Sequence, residues 1–311
     1  MKTRCVFVLM TAVILTAFAI RAAAQSPSPT SSGGLIPLEV AYAGSMGSVM
    51  DGPIRTAVRS LRIELRGRAQ GSMALARLIE GGSIQPDVFI SVTPPPMRVV
   101  LKAGKATEAS PIARTEMVIA YSPKSRLAPR FADAAKNGEP WWKTIESDGI
   151  RFGRTDPATD PQGLNILFVM KLASNFYSQP DLEQRVLGAQ LNPAQIFQEP
   201  EVMARLQAGQ LDASSAYKTQ PGAMGLPFIL LPPQINLGDA SREADYAKVA
   251  VDLNGKTLRP SPLVFYAATL KDAKHPELAT TFVKWLRGEA AQKILAEHGY
   301  DAPASATDLR E

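Results

Sequence analysis

The chain has 311 residues, enough for one large or two ordinary domains. Charged residues make up 20% and apolar ones 45%. That balance excludes a disordered chain, a collagen-like chain and a multi-span membrane protein. The formal charge is +5, and part of the excess sits in an N-terminal segment that reads as removable.

Lys2 and Arg4 precede an apolar, uncharged run over 6–20, and Ala22-Ala23-Ala24-Gln25 follows as a small-x-small site. This is the three-part pattern of a secretory signal peptide. The apolar run is shorter than the roughly 20 residues needed to span a bilayer. Cleavage is expected after Ala24, which places the protein in the periplasm or another extracytoplasmic space. Losing Lys2, Arg4 and Arg21 and no acid leaves a net charge of +2. A nucleic-acid partner loses its electrostatic support. Cys5, the only cysteine, lies inside the signal, so the mature chain has no disulfide and no thiol chemistry. Residues 25–34 are a polar linker.

Beyond the linker, 35–43 reads as a strand ending in Ala43-Gly44-Ser45-Met46-Gly47-Ser48, and 49–60 as a helix. A strand over 61–65 runs into Gly71-Ser72 and a helix over 73–80 closed by Gly81-Gly82. A third strand covers 87–91, with Pro94-Pro95-Pro96 placed at a turn. Strand, Gly-Ser turn, helix, repeated, indicates an α/β sheet. Further strands are predicted over 116–121, 150–153, 212–217, 228–231 and 263–268. Helices are expected from Trp141 and over 164–177, 201–206, 276–287 and 289–297. The length favours two lobes. The strands near 116–121 and 259–268 are candidates for chain crossings between them.

Three turns carry small hydroxyl residues or an acid: Gly44 to Ser48, Gly71-Ser72, and Asp156 to Gly163. A helix N-terminus offers unpaired N–H groups and a partial positive charge. A serine adds a donor, and glycine lets the backbone approach closely. Several such ends facing one cleft make an anion site without lysine or arginine, whereas each one alone reads as an ordinary cap. Tyr217, at a predicted strand end, is placed to turn its hydroxyl into a cleft.

A catalytic constellation is hard to assemble. His275 and His298 lie late in the chain on helical segments and read as surface residues. Ser45 lacks the spacing of a nucleophile elbow. Zinc spacing, a phosphate loop and a dinucleotide fingerprint are all missing from the sequence. No catalytic residue and no cofactor is expected. Trp141, Trp142 and Trp285 read as core or half-exposed packing.

On these residues the chain resembles the periplasmic molybdate/tungstate-binding proteins of ABC transporters, on the tungstate branch with its Asp-Pro-x-Gly loop. The carrying segments are Ala43-Gly44-Ser45-Met46, Gly71-Ser72, Asp87-Val88-Phe89, 116–121, Asp156 to Gly163, 209–218 and 231–238, in order from about 36 to 303. The resemblance implies a type II two-lobed α/β fold with the anion between the lobes. The first lobe would comprise 35–116 plus 259–311, and the second 117–258. It implies ligand contacts from Ser45 and Ser72 on one side and from Asp160, Gly163 and Tyr217 on the other. The partners it implies are an oxyanion and a membrane permease. A monomer is expected, and no enzyme.

Two positions depart from the family pattern. An acid precedes the tyrosine in the tungstate branch, where this chain has Ala216. Ser91-Val92-Thr93 and three prolines stand where the family has Ser-Ala-Asp. With Ala216 offering no ligand atom, direct metal coordination is expected from no side chain except, at most, Asp160. The expectation is therefore a hydrogen-bonded tetrahedral anion, with Asp160 acting mainly as a cap. Sulfate, phosphate or a small organic anion remain open alternatives, as does, from another class, an exported hydrolase using Ser45.

Overall fold

The computed structural model describes residues 34–311. The expected signal peptide over 1–24, and all of the linker before Gly34, lie outside the described residues. The strands are β1 (Ile36–Ala43), β2 (Ile63–Gln70), β3 (Val88–Val92), β4 (Glu108–Arg114), β5 (Met117–Tyr121), β6 (Phe152–Gly153), β7 (Ala213–Tyr217), β8 (Phe228–Leu230), β9 (Val251–Leu253), β10 (Lys256–Leu258), β11 (Val264–Thr269) and β12 (Leu309–Arg310). They form a six-stranded sheet of order β12-β4-β11-β3-β1-β2 and a four-stranded sheet of order β6-β7-β5-β8. A β9–β10 hairpin stands apart from both.

In the larger sheet β1 pairs in parallel with both β2 and β3. The C-terminal ends of these three strands therefore lie along one edge, where open α/β sheets bind ligands. All five residues of β3 are buried, and so are all five of β5. Strands covered on both faces read as continuous apolar runs, which is why Val88-Phe89-Ile90 and Met117-Val118-Ile119 carry no alternation. Edge strand β2 buries Ile63 and Leu65 and exposes Arg66 and Arg68. Charges of this kind protect an open edge from pairing with other chains.

The chain passes from β4 of the larger sheet to β5 of the smaller through Thr115 and Glu116, and returns between β8 and β11. Backbone bonds knit the crossings together: Thr115 N–H donates to the Leu263 carbonyl, Leu263 N–H to Leu237, and Met117 N–H to Asn236. One apolar cluster contains Val40 and Ile90 of the larger sheet together with Met117 and Ile119 of the smaller. Leu35–Glu311 packs as one compact unit. Trp141 and Trp142 are buried in the same cluster, with Trp142 4.1 Å from the Tyr177 ring, in keeping with the packing role read from sequence.

Several local expectations are corrected. Pro94-Pro95-Pro96 do not make a turn. They open the helix Pro94–Lys102, where the missing N–H groups would have had no intrahelical partner and the fixed φ suits the first turn. The predicted helix over 49–60 begins earlier and is irregular. Residues 44–61 run through short 3-10 and α segments around a π turn at Met50–Ile54, which contains Pro53. β2 extends to Gln70, five residues beyond the expected end, because backbone pairing with β1 continues after the apolar alternation stops. β4 was not anticipated, since Glu108-Ala-Ser-Pro-Ile-Ala-Arg114 contains a proline and little periodicity.

The start of β7 is fixed by Asp212, which is only 3% exposed. It accepts from the backbone N–H, Nε and Nη2 of Arg151 at 2.8–2.9 Å and from Ser125 Oγ at 2.7 Å. Burial pushes this carboxyl up. The hydrogen bonds from Arg151 and Ser125 outweigh burial and hold it at about 2. The clamp joins β6, β7 and the turn after β5, and so determines where Tyr217 emerges.

Candidate functional site

Four strand ends and the starts of the helices that follow them meet, with the start of the helix Pro161–Phe176, at a cavity of about 150 Å³. A single water needs roughly a tenth of that. β1 ends at Ala43 and delivers Gly44 and Ser45; β2 ends at Gln70 and delivers Gly71 and Ser72; β3 contributes Val92. Across the cavity stand Thr159, Asp160 and Pro161, and Tyr217 at the end of β7. Four of the five residues expected at the site, Ser45, Ser72, Asp160 and Tyr217, thus line one space.

Gly163, the fifth, does not line it. A Cβ at this position would lie 2.3 Å from the Thr155 carbonyl oxygen. The absence of a side chain lets the helix Pro161–Phe176 press against the backbone of 155–156. The Gly163 amide lies near the Asp160 carboxylate, whose pKa it helps to lower.

Ser72 is 1% exposed, and its Oγ accepts from Val92 N–H at 3.1 Å. That bond ties the β2 turn to the end of β3 and leaves the Ser72 hydroxyl hydrogen as a donor. Neither the turn beginning at Gly44 nor the helix Ser72–Glu80 has a side-chain cap on its first amides. Both starts therefore present N–H groups and a partial positive charge at the cavity edge. Thr93, just beyond Val92, has φ 66° and ψ 154°. A β-branched residue there is strained, as is common beside functional sites.

Asp160 caps the helix Pro161–Phe176, accepting from Gln162 N–H at 2.8 Å. Burial raises its pKa above the usual carboxylate value, against the opposing pull of the Gln162 and Gly163 amides. The same helix supports the far wall at two further points. Gln162 Nε2 donates to the Ser215 carbonyl at 3.1 Å, and Asn165 Nδ2 donates to Tyr217 Oη at 3.0 Å. No lysine, arginine or histidine lines the cavity. His275 stands at a helix start and His298 Nδ1 contacts the Ile294 carbonyl.

Sequence reasoning missed Thr159 and Asn165. The first is visible as a hydroxyl residue beside Asp160. The second lies one helical turn beyond the Asp160 cap, on the face that meets β7. Ala216 packs with Val118, Ala120, Val202 and Leu206 in a separate apolar cluster and does not reach the cavity wall. Among the described residues no group of three or more His, Cys, Asp or Glu is placed to hold a metal ion. None of their helices is long and apolar enough to cross a membrane.

Two α/β sheets joined by crossing segments, with a polar cavity at the parallel strand ends, define the type II periplasmic binding-protein fold. The periplasmic molybdate-binding protein of Azotobacter vinelandii superimposes with a TM-score of 0.60 over 86% of this chain and 99% of that one, at 16% identity. Residues 38–301 match the family model for bacterial extracellular solute-binding proteins, and the chain belongs to that family. The molybdate/tungstate-binding protein WtpA of Thermococcus kodakarensis is 28% identical over 263 residues, covering 78% of this chain and 73% of its own. WtpA of Pyrococcus abyssi is 31% identical over 210 residues, or 61% and 60% of the two chains.

Proposed function

We propose that this protein captures a tetrahedral oxyanion, molybdate or tungstate, and presents it to the permease of an ABC transporter. The carrying observation is that Ser45, Ser72 and Tyr217 line one small cavity at two uncapped helix starts, with no cation in its wall. Neutral donors and fixed dipoles suit a desolvated anion, because they need no counter-charge to be brought in with it. The names of the two WtpA relatives support molybdate and tungstate over other oxyanions.

Binding is read as hydrogen-bonded, through Ser45, Ser72, Tyr217 and backbone N–H groups. Asp160 organises the loop, its carboxylate accepting from the Gln162 amide at the helix start. The anion would lie between two lobes, 35–116 plus 259–311 and 117–258. Every strand of the larger sheet falls in the first and every strand of the smaller in the second. Hinge bending at 115–116 and in the return segments would open and close them. Ser45 has no histidine beside it to act as a base, which favours binding over hydrolysis. In this reading the protein is exported by a signal peptide cleaved after Ala24, acts as a monomer and uses no cofactor.

Thermal unfolding against a panel of oxyanions tests the assignment. Tungstate and molybdate at 100 times Kd are expected to add about 2.7 kcal/mol of apparent stability, with sulfate and phosphate giving less. A panel in which no oxyanion shifts the transition would remove the proposal. A response to sulfate alone would keep the mode of capture and replace the ligand.

A further inference from the structure

The segment Gly299-Tyr300-Asp301 touches both walls of the cavity without lining it. Tyr300 is 3% exposed, and its ring meets Phe265 edge-on at 5.5 Å. Its hydroxyl donates to the backbone carbonyl of Ser45 at 2.8 Å. Burial raises the pKa of this phenol, so it remains a donor throughout the neutral range. The next residue reaches the other wall. Asp301 pairs through its backbone with Arg114 in both directions, and its carboxylate binds Lys218, the neighbour of Tyr217. Lys218 is also held by Glu116 at 3.1 Å, and Glu116 accepts from Asn236 Nδ2 at 2.5 Å. Both Glu116 and Asn236 belong to the crossing segments. Gly299 has φ +82°, a conformation that favours glycine, and a Cβ there would stand in ordinary van der Waals contact with Thr219 Cα at 3.7 Å.

Ser45 has need of such support. The turn that carries it has no side-chain cap, and it opens an irregular helix with a π turn six residues on. A hydroxyl on an unsupported turn contributes less to binding, because the anion must order it on arrival. A buried donor on its carbonyl removes that cost beforehand. The Asp301–Lys218 ion pair then links this supported turn to the strand end that bears Tyr217.

We propose that Tyr300 is a positioning residue for Ser45, and that Tyr300 and Asp301 together form a brace that sets the spacing of the two hydroxyl walls. The size of anion accepted is then governed partly from the C-terminal end of the chain. The inference rests on the anion-binding reading above, but its structural half can be tested without any ligand.

Hydrogen exchange on the ligand-free protein supplies that arm. Tyr300→Phe keeps the ring against Phe265 and deletes only the donor. Faster exchange is expected at residues 44–48, with little change elsewhere, and unchanged exchange there overturns the brace. The second arm is calorimetry with sodium tungstate. Tyr300→Phe is expected to weaken binding about three- to ten-fold, the range that one neutral hydrogen bond gives. It should have almost no further effect in a Ser45→Ala background. A purely structural tyrosine would instead give additive losses, and additivity would overturn the positioning role. Asp301→Asn keeps the backbone pairing with Arg114 and removes the charge that holds Lys218. It should narrow the preference for tungstate over sulfate, and an unchanged preference contradicts the spacing claim. Wild-type protein that ignores every oxyanion would refute the functional reading, while exchange at 44–48 would still decide whether the brace exists.

Discussion

Alanine at Ser45 or at Ser72 is expected to lower oxyanion affinity ten-fold or more. Each change deletes a hydroxyl from a cavity where an anion has exchanged water for protein donors. Hydrogen bonds to charged groups contribute roughly 1.5–3 kcal/mol, and about 1.4 kcal/mol is ten-fold in Kd. The two variants should differ in stability. Ser72 Oγ is the acceptor for Val92 N–H, so Ser72→Ala leaves a buried amide unpaired and should cost about 1–3 kcal/mol of folding free energy. Ser45 is half-buried at the start of its turn, and its alanine variant should melt close to the parent. Ser48 is exposed and outside the cavity wall, so Ser48→Ala serves as the control. Calorimetric titration reads affinity and thermal unfolding reads stability. Unchanged affinity in both the Ser45 and Ser72 variants would remove the site.

The Asp160→Asn variant is expected to bind oxyanion at least as tightly as the parent. Asparagine is as good a helix cap as aspartate, so the start of Pro161–Phe176 should survive. What disappears is a negative charge beside a dianion. Asp160 has a raised pKa in the folded state because it is buried, so the native protein holds this proton more firmly than the unfolded chain does. Stability from this group is present at low pH and is lost as pH rises from the unfolded carboxylate value, about 3.9, through the raised native one. The asparagine variant should not show that loss, so its stability relative to the parent should grow across that window. If Asp160 instead coordinates the metal of the anion, Asp160→Asn will lose affinity steeply while keeping the same pH-dependent gain in stability. Asp160→Ala, which also removes the cap, should lose about 1 kcal/mol of stability in either case.

Much of this site was legible in the sequence because its parts are short and local. A glycine and a serine at the end of an apolar run mark a strand-to-helix turn, and the structure places Gly44-Ser45 and Gly71-Ser72 there. Asp160-Pro161-Gln162-Gly163 announces a capped helix start, and Asp160 is that cap. What local pattern does not carry is direction. Gly163 reads like a residue that lets backbone approach a ligand, yet the backbone it admits is that of Thr155 and Asp156. Asn165 supports Tyr217 from 52 residues away, and Tyr300 supports Ser45 from 255 residues away. Pairings at such separations follow from how the sheets are joined and leave no periodic trace. β4 was missed for a related reason. It is held by pairing with β11 and β12, and its own residues show little preference for a strand.

Diffraction from crystals grown with tungstate, recorded at the tungsten edge, tests the central claim most directly. One anomalous peak is expected in the cavity between Ser45, Ser72 and Tyr217, with four oxygens around the metal and hydroxyl and amide donors around the oxygens. A peak elsewhere, no peak at saturating tungstate, or a metal bonded to an Asp160 oxygen in six-fold coordination would contradict the hydrogen-bonded capture described here.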